Sequence, residues 1–184
     1  ILAAMHPEVE QRKGFLEGLF STFEEKPEPL ENVETLLTTG PPRYILSEKI
    51  PPNLVLLDTP DFDTGNKQQY ANRDIGQPVI EASDVLIYLF AGNNYNNLDN
   101  TEFIREMMSG VGCRSSILVY RTARIHDETV ISDHAAVVAS NIYPDGPEKW
   151  VKAVYRVHED DDVALGNKLT SLVPASGDRK IHDL

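Results

Sequence analysis

Cysteine is nearly absent from this chain: Cys113 is the only one in 184 residues. A single thiol excludes an internal disulfide framework and any zinc site built from several cysteines, and it fits a reducing, cytoplasmic setting. Long apolar runs are missing too. The longest, Val85 to Ala91, is far short of the roughly 20 residues a membrane-spanning helix needs. Ile1 to Met5 is apolar but too brief for the core of a signal peptide, and acids follow within a few positions. Basic charge is scarce: 17 Lys and Arg stand against 29 Asp and Glu, a net −12 that excludes the clustered cations of a nucleic-acid surface. The five histidines, His6, His126, His134, His158 and His182, show no metal-ligand spacing. Cys113 has no His or Asn placed by sequence to activate it. Internal repeats and low-complexity tracts are absent as well.

What is present is an ordinary globular composition, 41% hydrophobic and 25% charged, patterned as alternating strands and helices. Phe15, Leu16, Leu19, Phe20 and Phe23 space out as one helical face. Pro27 and Pro29 then end any helix, and the acids around them make Glu24 to Glu34 a solvated connector. Arg43 to Ile50 reads as a strand, Pro51-Pro52-Asn53 as a turn and Leu54 to Leu57 as a second strand, together an antiparallel hairpin. A helical stretch, Arg73 to Ala82, leads to Val85 to Phe90, apolar throughout, as a strand buried on both faces reads.

Asp99 and Glu102 have the spacing of a capping box, opening a helix with the apolar face Phe103, Ile104, Met107 and Met108. Ile117 to Tyr120 is a third buried strand. Asp127 can cap a helix carrying Val130, Ile131, His134, Val137 and Val138, with His134 expected at the core or its boundary. Ala153 to Val157 is a fourth strand, Trp150 an anchor for its packing, and Val163 to Leu172 a short last helix. The acids of His158 to Asp162 read as the start of that helix. The Asn-rich loop Asn93 to Asn97 reads as a turn at a strand end. This alternation calls for an α/β domain with a mostly parallel sheet and helices on both faces. Three segments follow: a helix and acidic connector over 1–37, the α/β domain over 38–172, and a polar tail over 173–184.

In open α/β sheets ligands gather where strands end, so the loop after Leu54 to Leu57 carries the most weight. It reads Asp58-Thr59-Pro60-Asp61-Phe62-Asp63-Thr64-Gly65, a carboxylate fixed directly behind four apolar residues. The run LVLLDTPDFDT resembles the strand and following loop of a P-loop GTPase, particularly the dynamin-like and related bacterial kinds, in which Asp-Thr-Pro is a form of the Asp-x-x-Gly motif. The order of elements over Thr38 to Leu172 is similar to a G domain. The resemblance implies a magnesium-dependent nucleoside triphosphate hydrolase with Mg2+ and GTP as ligands. Asp58 would stand on the metal side, and Thr38 or Thr39, 20 and 19 residues earlier, would close over magnesium and the terminal phosphate. Asp61 would stand at the motif glycine's place and offer its backbone amide. Arg121 and Thr122 would occupy the base-reading corner.

Departures accompany the match. No Gly-x-x-x-x-Gly-Lys-Ser/Thr occurs, so the first strand and the phosphate loop of such a domain are expected to lie outside this chain. The 184-residue chain alone is then expected to bind nucleotide weakly or not at all. After Ile117 to Tyr120 comes Arg121-Thr122-Ala123-Arg124, with no carboxylate in register to grip guanine. Self-association is open, and any membrane contact would use parts not in this chain. Two other readings stand beside this one. One is an interaction module that keeps the fold without using nucleotide. The other is a phosphatase of the haloacid-dehalogenase kind, which Asp61-Phe62-Asp63-Thr64-Gly65 superficially resembles. In it Asp61 is the nucleophile, Asp63 the acid, Thr122 and Lys149 or Lys152 the phosphate binders, and Asp160 to Asp162 the metal acids.

Overall fold

A computed structural model describes residues 1–38, 40–60, 68–109, 114–122, 128–158 and 170–171. Thr39, Asp61, Asp63, Cys113, Asp127, the acids of 159–162 and the tail from 173 lie outside the described residues. The chain divides into two units, the first over Ile1–Ser83 and the second from Asp84 onward.

In the first unit, strand β1 (Leu2–Met5) leads into two short helices, α1 (Pro7–Glu10) and α2 (Phe15–Leu19). Pro7 sits in the first turn of α1, where its missing N–H costs nothing, and His6 Nδ1 accepts from the Glu8 amide at 3.1 Å. Gly14, at φ 76°, turns the chain between the two helices. The helix expected from the apolar spacing is therefore interrupted, yet its face survives. Phe15, Leu16, Leu19, Phe20 and Phe23 all pack on one cluster with Ala3, Met5, Val9 and Tyr44.

Next come β2 (Glu28–Pro29), a 3-10 turn over Val33–Leu37, β3 (Arg43–Leu46), β4 (Val55–Asp58) and α3 (Gln68–Ala82). The sheet order is β2-β3-β1-β4. This corrects the hairpin expected over 43–57. β3 and β4 run in opposite senses, as a hairpin requires, but β1 lies between them, parallel to β3 and antiparallel to β4. Leu2–Met5 supplies the apolar strand that fills this position, with Ala3 and Met5 fully buried. The central strand comes from the 1–37 segment, which was expected to hold a helix and an acidic connector and no strand.

The second unit holds β5 (Val85–Ala91), α4 (Leu98–Ser109), β6 (Ser115–Thr122), α5 (Glu128–Ile142), α6 (Pro147–Trp150), β7 (Val151–His158) and β8 (Thr170–Ser171). β5, β6 and β7 are parallel neighbours, the arrangement expected from three apolar strands separated by helices. β8 pairs antiparallel with β7, so residues 170–171 are strand and not the end of a last helix. One face of the sheet buries Ile117, Val119 and Ala153. Leu118 and Tyr120, of opposite parity on β6, are buried too, as are Ile104 and Met108 of α4 and Ile131, Ala135 and Val138 of α5. The fold is thus α/β, with a mixed sheet in one unit and a mainly parallel one in the other, in place of the single sheet expected.

Candidate functional site

Two sheet edges carry the residues marked by sequence, one in each unit. In the first unit the register fixes the edge: Leu2 lies opposite Arg43 on β3 and opposite Asp58 on β4. The end of β4 and the start of β3 therefore share one edge, with β1 between them; the parallel strands β1, β2 and β3 begin at this edge, which corrects the expectation that Asp58 stands where the parallel strands end. Asp58, the last residue of its strand, is exposed. Thr38, also exposed, caps the 3-10 turn, and its hydroxyl donates to the Thr35 carbonyl at 3.1 Å. Residues 40–42 carry the chain from there into Arg43.

This edge has a mixed charge. Arg43 pairs with Glu28 on the neighbouring β2. For the magnesium that the resemblance implies, the described residues offer one carboxylate at a strand tip, and no group of three or more His, Cys, Asp or Glu comes together among them. Magnesium keeps several waters and takes one or two carboxylates plus phosphate oxygens, so Asp58 by itself would supply one ligand of such a set.

In the second unit the carboxyl ends of β5 and β6 form the other edge. Arg121 and Thr122 sit at the tip of β6, Arg121 exposed and Thr122 buried. The loop between β5 and α4 is closed by its own asparagines. Asn94 Oδ1 accepts from the Ala91 amide at 2.7 Å, and Asn97 Oδ1 accepts from the Asn100 amide at 3.2 Å. Asn97 is thus the N-cap of α4, and Asp99 lies inside its first turn and not at the cap expected from sequence.

The same loop brings in residues that sequence reasoning passed over. The Tyr95 ring stacks on His134 of α5, with centroids 3.7 Å apart and planes within 7°. His134 Nδ1 lies 3.3 Å from the Tyr120 hydroxyl, and Phe90 meets Tyr120 edge-on at 5.3 Å. His134 was expected at the core boundary and is found there, half-buried. The available signal for the cluster was the apolar run ending at Gly92, which leaves the backbone open to the Tyr120 hydroxyl.

Gly92 is required by that approach. A Cβ there would stand 2.7 Å from Tyr120 Oη, and Tyr120 is 1% exposed and cannot swing away. Gly92→Ala is expected to destabilise the second unit by about 1–3 kcal/mol through overpacking. Urea unfolding followed by the fluorescence of Trp150, the chain's only tryptophan and part of that unit, measures it.

Burial raises the Tyr120 phenol above its ordinary 10.0, and the neighbouring Tyr95 adds to the shift. Burial also raises Tyr44, whose hydroxyl donates to Glu10. Below 10.0 the phenols are neutral in folded and unfolded chains alike, and the advantage of the folded state is fully present. As pH rises further the unfolded chain loses these protons first, so stability falls until the folded phenols ionise too. Urea midpoints across this alkaline range are expected to fall less steeply in Tyr120→Phe than in the unaltered chain.

The structure also separates two residues that the phosphatase reading needs together. Thr122 lies opposite His158 at the carboxyl end of β7, whereas Lys149 and Lys152 flank its start, where Val151 pairs with Ser116. Lys152 Nζ donates to the Lys149 carbonyl at 2.8 Å. Most of the length of β7, roughly 25 Å in all at ~3.3 Å per residue, stands between them. Phosphate cannot bridge that distance. Compared with protein-family models, curated proteins and solved structures, the chain matches none.

Proposed function

We propose that this chain is part of a magnesium-dependent nucleoside triphosphate hydrolase of the GTPase kind. The observation that carries the reading is the edge shared by Asp58 and the approach to β3. An apolar strand ends in Asp58, followed by Thr59-Pro60, and β3 starts with Arg43 at the same edge. β3 and β4 run in opposite senses, as the expected hairpin would, but β1 lies between them, and the edge they share is where the parallel strands β1, β2 and β3 begin. The parallel β5-β6-β7 sheet with its intervening helices agrees with the later part of such a domain.

Asp58 would hold magnesium directly or through water, and the metal would neutralise charge on the phosphates during attack by water. Thr38 spends its hydroxyl on Thr35, so Thr39 is the better candidate for the closing threonine. Guanine selectivity is expected to be weak, because Arg121 and Thr122 bring no carboxylate to the base. The engagement of Thr38, and the lack among the described residues of any group of three or more His, Cys, Asp or Glu, favour a second reading, an interaction module of the same fold that uses no nucleotide.

The experiment that separates them is phosphate release from GTP and from ATP by the full-length gene product, with magnesium and with EDTA. Release that requires magnesium supports the hydrolase. No release above the spontaneous rate overturns it and leaves the interaction module.

A further inference from the structure

We draw no further inference here: the strongest candidate, the outer edge of β5 in the second unit with its exposed Ile87 and Leu89, carries nothing because nothing in the structure shows what covers it.

Discussion

Leu118→Ala is expected to cost the second unit about 2–5 kcal/mol, enough to consume much of the stability of a small domain. Leu118 sits in the middle of β6, opposite Tyr88 on β5 and Val154 on β7, and is 0% exposed. Truncation removes the transfer energy of its methyl groups and leaves a cavity that two flanking strands and their helices hold open. Leu89 offers the contrast within the same sheet. It pairs with Val119, one step along the ladder, but is 58% exposed, so Leu89→Ala is expected to cost under about 1 kcal/mol. Urea unfolding followed by Trp150 fluorescence checks both. The expected signature is a lowered midpoint for Leu118→Ala with an unchanged denaturant slope. Similar losses for the two variants would show that β5 is covered in solution on the face that carries Leu89.

The strands of the second unit were legible because burial wrote them plainly. Val85 to Phe90, Ile117 to Tyr120 and Ala153 to Val157 are apolar runs separated by helical periodicity, and all three are parallel neighbours. The pattern also promised burial of Val85 to Phe90 on both faces, yet Ile87 and Leu89 are exposed, because hydrophobicity records what a strand tolerates and not what covers it. The first unit was less legible. Five apolar residues at helical spacing pointed to the correct packing face, but local backbone chemistry at Gly14 split the helix. Leu2–Met5 was missed as a strand because four residues are too few to show a period, and its place between β3 and β4 is a long-range choice. The cap of α4 fell to Asn97 instead of Asp99, since several side chains in a row could cap and geometry selected one. Of the candidate site, sequence located Asp58 at a strand tip and Arg121 and Thr122 at another. It passed over Tyr95 and Tyr120, because an aromatic stack on His134 joins residues from a loop, a strand and a helix.

Asp58→Ala is expected to reduce magnesium-dependent phosphate release by the full-length gene product by about 100- to 1,000-fold, if Asp58 holds the metal against the phosphates. The loss should fall on turnover and on the magnesium requirement more than on stability. The Asp58 side chain is exposed, so its removal is expected to change the unfolding free energy by less than about 0.5 kcal/mol. A structural role would reverse that balance, lowering the urea midpoint while leaving the dependence on magnesium unchanged. Thr38→Ala and Thr39→Ala extend the test. Thr38 already donates to Thr35, so its loss is expected to affect the local turn and spare hydrolysis, whereas Thr39→Ala is expected to slow release in the manner of Asp58→Ala. Full activity in Asp58→Ala would remove the carboxylate from the chemistry. With it would go the reason for assigning a triphosphate to this edge, because two other charged side chains described there, Arg43 and Glu28, pair with one another.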